Sequence, residues 1–144
     1  MATNSLTQEE QSIITAAIKD AELDTSGEIR VHIDRKCAED VLDRAAFVFE
    51  KLEMHKTELR NGVLFYLAID DRKFAILGDA GINQKVPENF WGDIKTKMVS
   101  LFKEGKIPQG MAKGIYMAGQ QLKTHFAHKT DDVNELSDEI SFGK

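Results

Sequence analysis

The 144-residue sequence holds a single cysteine, Cys37. No internal disulfide and no four-cysteine zinc site can form from it. No apolar run is long enough to span a bilayer. The N-terminal MATNSLTQEEQS lacks the basic-then-apolar order of a signal peptide. Basic residues are not in excess: 19 Lys and Arg stand against 24 Asp and Glu, a net charge of −5. That balance argues against nucleic acid or an anionic membrane surface as the main partner. A cytoplasmic protein is the simplest reading of these absences.

Motifs of the common enzyme classes are also missing. There is no Walker motif and no Gly-x-Gly-x-x-Gly to cradle a nucleotide phosphate. A cysteine phosphatase needs a phosphate-clamping arginine shortly after its nucleophile. Asp43 stands at that position, so Cys37 reads as an inert or surface thiol. No nucleophile elbow and no EF-hand loop occurs. His32, His55, His125 and His128 show no zinc spacing, and His32 reads as a residue on the polar face of a strand.

What is present suits one ordinary domain. Apolar residues at 42% and charged residues at 30% fit a soluble globular protein with a real core. Residues 1–129 read as that domain and 130–144 as an acidic tail, which Val133, Leu136, Ile140 and Phe142 could dock as an extended strand or strap, with a disordered tail as the equal alternative. The organising stretch is Thr57 to Gly81. Two apolar runs, Val63 to Ile69 and Phe74 to Leu77, flank the turn Asp70-Asp71-Arg72. This predicts a β-hairpin. Because the runs do not alternate, both strands are expected to be covered on both faces, at the centre of the sheet. Glu28 to Asp34 alternates strictly, which predicts a strand with one polar face, nearer the edge.

Helices are predicted from about Thr7 to Glu22, where Thr7 and Glu10 form a capping box, and from Ala38 to about Met54. A third begins near Phe90 and ends before Gly105 and Pro108. A fourth runs from Gly110 to about His128, with Gly110, Gly114 and Gly119 permitting close packing. Ile82 to Pro87 is expected as a loop or short extended piece. Strand, helix and first hairpin strand make a βαβ unit, so those two strands should be parallel.

That topology brings oxygen ligands to one sheet end. Glu28 begins its strand where Asn61 enters the hairpin and Asp79 leaves it. Glu58 lies on the entering loop, and Asp93 sits near the start of the third helix. Carboxylates so gathered repel unless protonated or bound to a cation, and hard oxygens suit Ca²⁺ or Mg²⁺. Gly78 and Gly81 could turn carbonyls towards the ion. The loops Met54 to Asn61 and Asp79 to Asn89 are expected to pack loosely. In the plainer alternative, Asp79 caps a turn, Glu58 is solvated and Asp93 serves a helix dipole. A rival cluster, Asp34, Asp70 and Asp71, lies at the opposite end, outside the carboxyl ends of the parallel strands.

Ser26-Gly27-Glu28-Ile29-Arg30-Val31, Asn61-Gly62-Val63-Leu64 and Gly78-Asp79-Ala80-Gly81 occur in an order that resembles the TPM-domain family. Phe102-x-x-Gly105 followed by Gly110-Met111 continues the match, which spans Leu6 to Phe126. The resemblance implies a three-layer αβα sandwich. Its small mixed sheet would have about four strands flanked by about four helices, the fourth strand being either Ile82–Val86 or the tail. Divalent cations such as calcium occur in the family's structures. Its members are associated with photosystem repair, acid phosphatase activity and membrane-protein accessory roles. Many carry a signal peptide and a transmembrane segment or a Gly-rich tail, and this sequence has none of these. The resulting expectation is a metal-responsive binding module holding a divalent cation at Glu28, Glu58, Asn61, Asp79 and Asp93. A metal-dependent acid phosphatase and a protein-interaction domain are the alternatives.

Overall fold

The computed structural model describes residues 6–23, 25–127 and 139–143. The chain opens with α1 (Gln8–Glu22), whose capping box forms as the sequence requires. Thr7 Oγ1 accepts from Glu10 N–H at 3.0 Å, and Glu10 Oε1 accepts from Thr7 N–H at 2.9 Å. Strand β1 (Glu28–Asp34) follows, then α2 (Val41–Lys51). The second helix starts three residues later than its apolar pattern suggests. Asp40 caps it instead, its carboxylate accepting from the N–H groups of Leu42 and Asp43. A 3₁₀ turn at Met54–Lys56 leads into β2 (Gly62–Ala68) and β3 (Lys73–Gly78).

Ala80–Asn83 is a short helix, α3, rather than a loop or strand, with Asp79 capping it and Ile82 fully buried. Helices α4 (Phe90–Lys103) and α5 (Ile107–His125) complete the layer. Pro108 lies in the first turn of α5 and so starts that helix, where a missing N–H costs nothing. Close packing of α5 depends on its small residues: a Cβ on Gly119 would approach Ala21 Cβ of α1 at 2.7 Å. α5 begins three residues before the predicted Gly110 and ends at His125, short of the predicted His128, because Phe126 has left the helix and Ala127 forms a bridge with Thr25. The predicted tail boundary at residue 129 lies outside the described residues.

The sheet order is β3-β2-β1-β4. β1 is parallel to β2, with Glu28 beside Gly62 and Asp34 beside Ala68, and β2 is antiparallel to β3. The fourth strand is Ser141–Phe142 (β4), pairing in parallel with His32 and Ile33. The tail therefore supplies it, and Ile82–Val86 does not.

Two sequence expectations about the sheet change. The hairpin is not its centre, because β3 is an edge strand with Lys73 exposed. β1 lies inside, and its polar face is covered rather than solvated: Glu28, His32 and Asp34 are all buried. β1 does alternate with a period of two, but its polar half is matched by internal partners rather than by water.

Alternation sorts the core into two layers. Ile29, Val31, Ile33, Val63, Phe65, Leu67 and Ile76 pack with residues of α1, α4 and α5. Leu64, Tyr66, Ala68 and Ala75 pack with Ala45 and Val48 of α2 and with Met54. Every residue of β2 is buried, which is why its apolar run is unbroken. The result is an αβα sandwich in which α2 is the one long helix on its side among the described residues. The polar residues of β1 share that thinner side with Leu64 and Tyr66.

Candidate functional site

The parallel register does bring Glu28, Asn61 and Asp79 to one sheet end. Glu28 N–H donates to Asn61 O at 3.4 Å, and Asp79 N–H donates to Gly62 O at 2.9 Å. All three residues are buried. Asn61 Nδ2 donates to Ser26 Oγ at 3.3 Å, while its Oδ1 is buried and accepts no hydrogen bond. An amide oxygen in that condition is costly unless something donates to it or it meets a cation.

Asp79 has a cationic partner that is absent from the predicted ligand set. Arg60 clasps it through two bonds, Nε to Oδ2 at 2.6 Å and an Nη to Oδ1 at 2.7 Å. This fork geometry is the strongest form of a charge-assisted pair. The bond to Asp79 raises the Arg60 guanidinium above its ordinary range. Asp79 Oδ1 also accepts from Ala80 N–H at 2.8 Å. Arg60 was legible in principle: it precedes Asn61-Gly62, and hairpin pairing sets that approach beside the exit at Asp79.

The two loops at this end are tied together, contrary to the expectation of loose packing. Gly81 N–H donates to Arg60 O at 2.7 Å. A Cβ on Gly81 would meet the carbonyl oxygens of Leu59 and Arg60, so that position must be glycine for the backbones to approach. Met54 and Ile82, one on each loop, are fully buried. Gly78 O is engaged by Asn83 Nδ2 at 2.8 Å. Glu58 and Asp93 are exposed, and Asp93 lies in the first turn of α4. Among the described residues, no group of three or more His, Cys, Asp or Glu side chains is placed to hold a metal. At this sheet end the geometry offers two buried carboxylates, one unpartnered amide oxygen and a resident guanidinium.

A second polar cluster lies at the opposite end, under β4. Asp34 is fully buried and accepts from four donors. Arg44 Nε reaches Oδ2 at 2.9 Å and an Arg44 Nη reaches Oδ1 at 3.4 Å. Tyr66 Oη donates to Oδ2 at 2.6 Å, and His32 Nε2 lies 2.9 Å from Oδ1. Burial pushes the Asp34 carboxyl up, but Arg44, Tyr66 and His32 together outweigh it and hold it below the usual range. Burial pulls His32 down further than Asp34 lifts it, so the ring is neutral at pH 7. With Nε2–H donating to Asp34, Nδ1 accepts from Ser141 Oγ at 2.8 Å. Burial, then the bond to Asp34, keeps the Tyr66 hydroxyl protonated. The His32 and Tyr66 rings stack at 5.9 Å.

The rival trio of Asp34, Asp70 and Asp71 does not assemble. Asp70 pairs with Arg35 at 3.1 Å, and Asp71 Oδ2 accepts from Cys37 N–H at 2.7 Å. Cys37 is buried and its thiol lies 3.3 Å from Glu39 O. The regular ionisable residues of β1, Glu28, Arg30, His32 and Asp34, were the available signal for a buried polar row.

Relatives of known structure share this arrangement of elements. BA42 protein from the psychrophilic bacterium Bizionia argentinensis is 45% identical, with a TM-score of 0.90 over 99% of each chain. The N-terminal domain of a P. gingivalis protein is 16% identical, with a TM-score of 0.71 over 88% of this chain and 84% of that one. The N-terminal domain of cg2496 from Corynebacterium glutamicum is 12% identical, with a TM-score of 0.68 over 92% and 83%. The last two show likeness of fold alone. No curated protein matches the sequence. No helix among the described residues is long and apolar enough to cross a membrane. The TPM domain matches residues 2–121, so with the capped first helix, the βαβ unit and the glycine-bounded hairpin in place, the chain belongs to the TPM domain family.

Proposed function

We propose that this domain is a cytoplasmic, metal-responsive accessory module that binds a divalent cation, calcium before magnesium, at the Glu28–Asn61–Asp79 end of the sheet. The observation that carries this reading is the buried Asn61 Oδ1, which accepts nothing. The Asn61 backbone carbonyl accepts from the N–H of buried Glu28, and that of the adjoining Gly62 accepts from the N–H of buried Asp79. Neutral amide oxygens and carboxylates are the ligand types calcium takes. Glu28, Asn61 and Asp79 would hold the ion, and exposed Glu58 and Asp93 would join only if their segments move. Arg60 is the competing cation. Its side chain is half exposed, so it can leave Asp79 for solvent as the ion arrives. The exchange of a guanidinium for a divalent ion makes binding a switch for the Met54–Asn61 segment. Magnesium demands tighter octahedral geometry and keeps its water, which suits this partly amide site less well.

The test is a calcium titration followed by backbone amide NMR. Shifts should centre on Glu28, Asn61 and Asp79 and include Arg60, with a rise in melting temperature. A hundredfold excess over Kd adds about 2.7 kcal/mol. Asp79→Asn should weaken binding strongly, while Asp70→Asn should not. Unchanged resonances and melting temperature at millimolar calcium would sink the reading. Metal-dependent turnover of a phosphomonoester would replace it with the enzyme alternative.

A further inference from the structure

We propose that the groove between the β2–β3 turn and the α4–α5 turn binds a small amphiphilic anion, a carboxylate carried on an aliphatic chain. The groove encloses about 570 Å³, inside the roughly 300–1,000 Å³ of small-ligand sites. Leu67, Ile69 and Phe74 line it from the hairpin, and Val99, Phe102 and Ile107 from the helices. Leu67 is buried and belongs to the core, whereas the other five are only half-buried. The fold leaves this apolar wall incompletely covered.

The charge around that wall runs against the charge of the whole protein. The net charge is −5, yet the ionisable side chains lining the groove are Arg72 and Lys103. Both are exposed, and neither makes a side-chain ion pair among the described residues. The hairpin turn sorts its own charges. Asp70 is held by Arg35, and Asp71 by the Cys37 N–H, both towards the segment between β1 and α2. Arg72 lines the groove instead. Its φ is 56°, a left-handed position in which hairpin turns favour Gly, Asn or Asp.

A third positive element is the start of α5. Ile107 is the first residue of that 19-residue helix, which has no side-chain cap and no acid in its first turn. Pro108 carries no N–H and that of Gly110 goes to Lys106 O, so the first-turn amides of Ile107 and Gln109, with the helix dipole, are what favour an anion there. The adjoining depression along α4 shares Val99 and Lys103 and adds Lys95. Its one acid, Glu104, is paired with Lys106 at 3.3 Å. A neutral apolar ligand would leave these cations unmatched. A small hydrophilic anion would leave the apolar wall uncovered. An amphiphilic carboxylate satisfies both.

The experiment is a titration of the full chain with decanoate below its micelle concentration, read by backbone amide NMR. Saturable shifts are expected at residues 67–74 and 99–107, and none at Glu28 or Asp79. Arg72→Glu with Lys103→Glu should weaken binding about tenfold or more, the scale of a lost charge-assisted contact. Val99→Trp fills the groove with both charges intact and should abolish binding. Decanol should bind at least about tenfold more weakly than decanoate, and raised salt should weaken only the acid. Absence of shifts, shifts confined to other surfaces, equal binding of decanol, or no effect of charge reversal would each overturn the proposal. Capture by phosphatidylglycerol vesicles without binding of dispersed decanoate would also overturn it, in favour of a membrane surface.

Discussion

Replacing Asp34 by Asn tests whether the cluster under β4 is a closed electrostatic unit. The substitution keeps the shape and removes the charge. In the native protein Oδ2 accepts from Arg44 Nε and Tyr66 Oη, and Oδ1 faces His32 Nε2 and an Arg44 Nη. The new amide oxygen must stay on the Oδ2 side, because Arg44 Nε–H cannot become an acceptor. The NH₂ then faces both His32 and an Arg44 Nη. His32 can change tautomer and donate from Nδ1 to Ser141 Oγ, which relieves one conflict, but the Arg44 Nη cannot accept. The remaining losses are the long Arg44 Nη bond to Oδ1 and the countercharge of Arg44, whose side chain is only 12% exposed. Breaking a buried pair costs about 3–5 kcal/mol, and the tautomer change favours the lower end, about 3 kcal/mol. For a domain of this size that is a fall of roughly 6–12 °C in melting temperature. Urea unfolding at pH 7 measures it directly. The double variant Asp34→Asn, Arg44→Met should recover part of the loss, since the stranded cation is then gone. A loss below about 1 kcal/mol, or no recovery in the double variant, would show that Arg44 is solvated and the cluster is open.

Acid should destabilise the protein in two steps. The folded-state affinities of His32 and Asp34 for protons are both lowered from ordinary values of 6.5 and 3.8. The unfolded chain therefore binds more protons, so stability falls as pH drops below about 6.5 and again below about 3.8. Urea midpoints across pH check this, and a His32→Gln variant that kept the upper step would refute the assignment. Leu67→Ala should cost about 2–5 kcal/mol through lost burial and the cavity left in the larger core layer. A loss under about 1 kcal/mol in the same assay would mean that β2 is not covered on that face. Arg60→Gln should tighten calcium binding by removing the competing cation, while lowering the melting temperature of the metal-free protein. Calorimetric titration that found weaker binding would contradict the exchange of guanidinium for metal.

The local features of this fold were legible because their causes are local. Thr7 and Glu10 lie one helical turn apart, so their reciprocal cap can be read from spacing. The unbroken run of β2 reports cover on both faces wherever the sheet lies. Parallel pairing of Glu28–Asp34 with β2 fixes which residues share a sheet end, so Glu28, Asn61 and Asp79 could be grouped from sequence. Tertiary structure decided the order of the strands and the partners of the charges. The alternation in β1 is the same whether its polar face meets water or a buried network. Only the arrival of Arg44 from α2, Tyr66 from β2 and Ser141 from the chain's end selects burial. Asp79 likewise lay within reach of a cation of either kind. The left-handed turn at Arg60 (φ 51°) and the close backbone approach at Gly81 placed a guanidinium there. Pairing between side chains distant in sequence depends on how whole layers pack, and periodicity carries no record of that.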